Sequence, residues 1–195
     1  MTEPTVLIVP GLRDAMAQHW QTLLAARLLR VRSVAPMGLE NLDCSARVVA
    51  VEREAQAIEG PLVIVAHSAG CIIVAHWALQ TKRAVHGALL ATPPDFQSPI
   101  PQSYTTIKAL GDAGWLPVPR SRLPFRSIVA ASRNDPLGRF KRVAALAFDW
   151  GASLVDVGKV GHLNLASGYG DWPQAEDFIA QLSAPQATAG TPAQA

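Results

Sequence analysis

The run Ala66-His67-Ser68-Ala69-Gly70 places a serine where a nucleophile could work. An apolar stretch, residues 61–66, precedes it, and a second, residues 69–79, follows. This is the nucleophile-elbow pattern G-x-S-x-G with alanine in place of the first glycine. Small residues are required there because the serine sits on a sharp, strained turn. A large side chain two positions to either side would strike the adjoining strand or helix; the extra methyl of Ala66 can be accommodated. Ser68 would then open a helix, whose free N–H groups favour a developing anion. A serine at that place also suits a plain helix cap, so the motif needs partners before it means catalysis.

A serine hydroxyl is a weak nucleophile until a base removes its proton. In an elbow fold the partners follow in the order Ser, Asp, His. Asp135 lies in Ser132-Arg133-Asn134-Asp135-Pro136 and His162 in Gly158-Lys159-Val160-Gly161-His162, each just after an apolar strand-like run. Read alone, Asp135 suits a helix cap and His162 a surface loop. Their common position after consecutive strands, on the edge where Ser68 falls, favours the catalytic reading. Asp156, Asp171 and His67 are weaker rivals: Asp156 precedes the histidine by few residues and is expected to point into the sheet face, Asp171 follows the histidine, which is the wrong order, and His67 adjoins the serine on a tight turn. His19, His76 and His86 are expected to be structural.

An oxyanion hole needs two N–H donors. Ala69, after the nucleophile, supplies one; the second is expected from Leu12, or alternatively Gly11, in the loop Pro10-Gly11-Leu12-Arg13, where glycine permits an unusual backbone. A substrate pocket is expected around Trp20, His67, Pro94 and Trp172, although the two tryptophans are better explained as core. No phosphate-binding glycine loop follows the first strand, and no His/Cys/Asp cluster has metal-ligand spacing, so no cofactor or metal is expected.

Strand-like runs at residues 5–9, 31–35, 61–66, 85–91, 127–131 and 153–157 alternate with helical patterns at 16–29, 45–58, 69–79 and from about 173. Another helix, between the last two strands, is read with Phe140, Val143, Ala144, Ala147 and Phe148 on one face and Gly151 just past its end. Such alternation predicts an α/β fold, a mostly parallel sheet of about six strands with helices on both faces. Residues 93–126 carry seven prolines and are expected to form a lid, a pocket wall or a surface loop with a short helix at 105–110. Residues 1–183 are read as one domain and 184–195 as a disordered tail.

The 17 basic and 15 acidic residues leave a net charge of +2, with no footprint for nucleic acid. Hydrophobic residues make up 49% of the chain, but their runs are too short to span a bilayer. Cys44 and Cys71 make no disulfide framework, and residues 1–4 show no basic segment before an apolar one; a cytoplasmic protein is expected. A small-molecule ester or related acyl substrate is the expected partner, and no protein partner is indicated.

The chain resembles the small serine hydrolases of the YdeN-like and retinoblastoma-binding protein nine-like type. The resemblance runs through Val9-Pro10-Gly11 with His19-Trp20, His67-Ser68-Ala69-Gly70, Ser132-Arg133-Asn134-Asp135-Pro136 and Gly161-His162-Leu163-Asn164. It ends on Ser167-Gly168-Tyr169-Gly170-Asp171-Trp172-Pro173, its most specific string. It implies a minimal α/β-hydrolase without a large cap domain, and Ser68, Asp135 and His162 as the triad. The expected activity is hydrolysis of carboxylic esters, with thioesters and amides open to the same residues. The alternative is a catalytically weak or inactive α/β-hydrolase-fold protein that binds or regulates.

Overall fold

The computed structural model describes residues 3–13 and 15–184, so all but the first residue of the expected tail lies outside the described residues. The chain runs β1 (Thr5–Val9), α1 (Trp20–Arg27), β2 (Val31–Ser33), α2 (Cys44–Gln56), β3 (Leu62–His67) and α3 (Ala69–Ala78). It continues with β4 (Gly87–Ala91), α4 (Ile107–Asp112), β5 (Ser127–Ala131), α5 (Phe140–Trp150) and β6 (Ser153–Asp156). A 3-10 turn at Leu165–Ser167 precedes α6 (Gln174–Ser183).

The strands form one parallel sheet in the order β2-β1-β3-β4-β5-β6. From β1 the chain turns outward to the edge strand β2, then crosses back to β3 and proceeds the other way. The connections therefore leave β1 and β3 in opposite directions, and a crevice opens at their carboxyl ends. This topology decides where the site lies.

Strand side chains alternate between two layers. Leu62, Ile64 and Ala66 of β3 join a core with α2, α3 and α5, while Val63 and Val65 join a second core with α1 and α6. Burial on both faces explains why β3 reads as an unbroken apolar run. Helix α3 is apolar nearly all round because it packs over the sheet centre; every residue but His76 and Ala78 is buried.

Three expectations need correction. Helix α1 begins at Trp20, not near residue 16, because His19 ends a turn closed by its N–H on the Met16 carbonyl at 3.0 Å. Strand β2 stops at Ser33 rather than residue 35, although Val34 still donates to the Ile8 carbonyl at 2.9 Å. Phe148 does not share the buried face of α5; it is 85% exposed, while Val143, Leu146, Ala147 and Trp150 are buried. At about 100° per residue, Phe148 points roughly 140° away from Val143. Gly151 does end α5 in the left-handed region, at φ 65°.

Residues 93–126 are mostly tied down. The short helix in them covers Ile107–Asp112, capped by the Thr106 side chain. Trp115 is fully buried and donates to the Leu42 carbonyl at 2.7 Å. Leu123 bonds the Trp150 carbonyl at 3.0 Å.

Candidate active site

Ser68 is the turn between β3 and α3. Its backbone has φ 56° and ψ −132°, a conformation costing about 1–3 kcal/mol for a residue with a side chain. The turn is held by the Ser68 N–H on the Ala91 carbonyl at 2.9 Å. The side chain makes no capping hydrogen bond to α3, which removes the plain-cap reading. Gly70 is required here for space: a Cβ on it would lie 2.6 Å from both the Val9 and Pro10 carbonyl oxygens.

The freed Ser68 Oγ lies 2.8 Å from Nε2 of His162. The other ring nitrogen, Nδ1, lies 3.0 and 2.9 Å from the two carboxylate oxygens of Asp135. Asp135 Oδ1 also accepts the Leu137 N–H at 2.8 Å, fixing the carboxylate within its own turn. The His162 and Asp135 side chains are only 3% and 2% exposed, so a charge forming on the imidazole would be little screened by water. Three side chains from the ends of β3, β5 and β6 thus form one continuous hydrogen-bonded chain.

The loop carrying His162 is held from several sides by residues to which sequence reasoning gave no role. The Gly161 N–H donates to Asn134 Oδ1 at 2.7 Å, and the His162 N–H to Ser167 Oγ at 3.0 Å. Ser167 Oγ in turn donates to Asn164 Oδ1 at 2.9 Å. Their only signal in the sequence was membership of the family-like strings. Asp95 works one step away. Burial alone would raise its carboxyl pKa, but hydrogen bonds from the Gln97, Arg139 and Ser98 N–H groups and the Ser98 hydroxyl hold it below the ordinary range. It ties the loop after β4 to the start of α5, beside the Asp135 turn.

His67 is not the base. It is 5% exposed, and its Nε2 lies 2.9 Å from the His162 carbonyl oxygen. Burial, with the nearby His162 and His19 rings, holds its pKa well below the ordinary histidine value, so the neutral ring donates that hydrogen bond. It props the backbone of the histidine that meets Ser68. Asp156 pairs with Arg133 and bonds the Gly158 N–H, and Asp171 pairs with Arg27 at 2.8 Å. Neither belongs to the Ser68 chain.

The loop after β1 passes directly against Ser68. A Cβ on Gly11 would lie 3.2 Å from Ser68 Cβ and 3.5 Å from its Oγ. Gly11 has no positive φ; its use is the space it leaves for Ser68. Arg47, 4% exposed, clamps this loop by donating to the Gly11 carbonyl at 3.4 Å, along with the Gly38 and Asn41 carbonyls. Gly11, Leu12 and Ala69 all border the cavity at Ser68.

That cavity has a volume of about 440 Å³, and it has two unlike walls. Residues 93–126 contribute a mainly apolar one through Pro94, Phe96, Ile100 and Leu110, with Leu137 beside them. Helix α1 and the end of β2 contribute the other, where His19, Gln21, Thr22 and Ser33 stand among Ile8 and Val34. Of the side chains expected to line a pocket, His67 and Pro94 do so. Trp20 and Trp172 do not; they pack edge to face at 5.0 Å inside the core beneath α1 and α6, where their large apolar rings are better shielded. Burial pushes the Cys44 thiol up to about 11 and the Cys71 thiol well above its ordinary value, so neither is a ready thiolate. Among the described residues no group of three or more His, Cys, Asp or Glu side chains could hold a metal ion, and no helix is long and apolar enough to cross a membrane.

The family model described as serine hydrolase matches residues 6–181, nearly the whole chain. The chain belongs to the serine hydrolase family. A YdeN-like hydrolase from Pectobacterium atrosepticum is 28% identical, with 93% of this chain and 91% of that one covered and a TM-score of 0.78. The ydeN gene product of Bacillus subtilis is 19% identical, covering 92% of this chain and 98% of that one with a TM-score of 0.68. A thermophilic esterase from Thermogutta terrifontis is 12% identical, covering 94% and 92% with a TM-score of 0.61. These likenesses carry the α/β-hydrolase fold across the described sheet. No curated protein matches the chain. Membership makes this protein a hydrolase and gives the Ser68–His162–Asp135 arrangement a family in which to be read.

Proposed function

We propose that this protein hydrolyses carboxylic esters of small, largely uncharged substrates through an acyl-enzyme on Ser68. The observation that carries the reading is the unbroken hydrogen-bonded chain from Ser68 Oγ through His162 to Asp135 at the rim of the cavity. With Nδ1–H donated to Asp135, the lone pair of His162 Nε2 faces the Ser68 hydroxyl. As Oγ attacks the substrate carbonyl carbon, its proton passes to Nε2, and the imidazolium is stabilised by the Asp135 carboxylate. The carbonyl oxygen becomes an oxyanion, held by the N–H of Ala69 at the start of α3 and that of Leu12, or Gly11, in the loop beside Ser68. His162 then protonates the leaving alkoxide, and the C–O bond breaks to leave the acyl group on Ser68. Water, deprotonated by the same imidazole, attacks that acyl group; the acyl–Oγ bond breaks, His162 returns the proton to Ser68 Oγ, and the carboxylic acid leaves. No metal or cofactor enters these steps, and a thioester could follow the same route.

The test is a series of p-nitrophenyl esters of rising acyl length, run on wild type and Ser68→Ala. Turnover by wild type that disappears in Ser68→Ala supports the reading. If wild type turns over none of the series faster than Ser68→Ala does, the protein is a binding member of its fold instead.

A further inference from the structure

Gln21 is an unusual resident of the core side of α1. It is only 4% exposed, yet it borders the cavity. Its Nε2 spends both hydrogens on backbone carbonyls, those of Val9 and Val65, each at 3.1 Å. Carbonyl oxygens accept only, so these two bonds fix which end of the amide is nitrogen. Oε1 has no hydrogen-bond partner among the described residues, and it is not among their fully enclosed, unpartnered polar atoms. With Gln21 on the cavity wall, this accessible oxygen is the polar atom of its side chain free to meet a ligand. An acceptor open to the cavity bonds to water until a ligand's donor takes the water's place.

The neighbouring His19 adds a directional group. Its Nδ1 accepts the Gln21 backbone N–H at 3.2 Å, so in the neutral ring the hydrogen sits on Nε2. Burial, reinforced by the nearby His162, lowers its pKa to about 4, so the ring is neutral at physiological pH. The α1 wall thus presents a fixed acceptor and, beside it, a neutral donor. The wall from residues 93–126 is mainly hydrocarbon through Pro94, Phe96, Ile100 and Leu110, with Tyr104 and Thr105 among them.

We propose that the α1 side of the cavity is a subsite for an uncharged hydrogen-bond donor on the substrate, a hydroxyl or an amide N–H, received by Gln21 Oε1. A cation would surrender its hydration for one neutral acceptor and is disfavoured there. The substrate is then two-sided: one part hydrocarbon, seated against residues 94–110, and one part carrying O–H or N–H, seated against α1. The kinetic part of this proposal rests on the hydrolase reading above; the binding part does not.

The experiment compares p-nitrophenyl and simple alkyl esters in matched sets, with a hydroxyl, an acylamino N–H or a methylene at the same place, on the acyl or the alcohol side. One neutral hydrogen bond in a buried site predicts a preference of about 3–10-fold in kcat/KM for a donor-bearing ester at one placement, expressed in KM. In Gln21→Leu the donor-bearing and methylene esters converge. Calorimetric titration of the same alkyl esters into Ser68→Ala reads the preference without turnover, so a failure of the hydrolase reading leaves this test intact. A crystal structure of that complex then places the donor within hydrogen-bond distance of Gln21 Oε1. The proposal falls if neither kinetics nor titration favours a donor at either placement. It also falls if Gln21→Leu keeps the preference while slowing all esters alike, which would make Gln21 only a brace between β1 and β3. Should Gln21→Leu not fold, a bound donor lying away from Oε1 overturns it equally.

Discussion

Replacing Asp135 by asparagine perturbs the proposed chemistry while hardly changing shape. Asp135 Oδ1 accepts the Leu137 N–H at 2.8 Å, so the asparagine oxygen is required there and its NH2 group takes the place of Oδ2. That puts a donor where a carboxylate oxygen stood 2.9 Å from His162 Nδ1. Where Nδ1 accepts from that NH2 group, rather than donating to the amide oxygen 3.0 Å away, the ring proton moves to Nε2, facing Ser68 Oγ. An imidazole in this tautomer cannot take the serine proton. If the ring does become charged, it lacks the carboxylate, an attraction of about 4 kcal/mol for charges some 4 Å apart at an effective dielectric of 20. Either route predicts a loss of about 10³-fold in kcat/KM. Stability should change by less than about 1 kcal/mol, because packing and the Leu137 bond persist. The assay is hydrolysis of a p-nitrophenyl ester together with a thermal melt. A folded Asp135→Asn protein retaining more than about a tenth of wild-type kcat/KM would refute the assignment of Asp135.

Other perturbations test the supports of the site. His67→Phe leaves the buried His162 carbonyl with only the weak Thr92 hydroxyl contact at 3.5 Å, and should cost about 1–3 kcal/mol and lower kcat; an unchanged melt and unchanged kcat would deny it the propping role. Gly70→Ala forces a methyl against the Val9 and Pro10 carbonyls, displacing the loop that carries Leu12; kcat/KM should fall on the order of 10²-fold, and unimpaired turnover would show that the loop position is not critical. His19 and His67 are held neutral by burial, so the unfolded chain takes up their protons first as the pH falls. Stability should therefore decline from about pH 6.5 towards pH 4, with His19 contributing about 2 kcal/mol once solvent screening of the half-buried ring is allowed for; melting temperatures flat across that window would contradict the burial argument.

The site was legible where chemistry and local structure coincide. Ala66-His67-Ser68-Ala69-Gly70 combines a steric requirement with its flanking strand and helix, so both the fold position and a candidate nucleophile can be read from one string. Asp135 and His162 were readable because each directly follows an apolar strand run, and parallel strands bring their carboxyl ends to one edge. Side chains whose environment is set by distant contacts were not readable. Trp20 and Trp172 meet across α1 and α6, which lie far apart in the chain. Gln21 carries no signal in the sequence, because its partners are carbonyls 12 and 44 positions away. His19 gave no capping signal, since histidine is not among the favoured caps. Phe148 shows the converse: helical spacing put it on the buried face, but the stripe that is buried runs through Val143, Leu146, Ala147 and Trp150 and leaves Phe148 outside it.

The most direct measurement of the central claim is labelling with a fluorophosphonate, which captures an activated serine, followed by peptide mass spectrometry. Wild type should carry one adduct, on Ser68, and His162→Ala should react far more slowly although its serine is intact. Ser68→Ala should remain unlabelled. An adduct that persists in Ser68→Ala, or labelling of Ser68 at full rate without His162, would contradict the account.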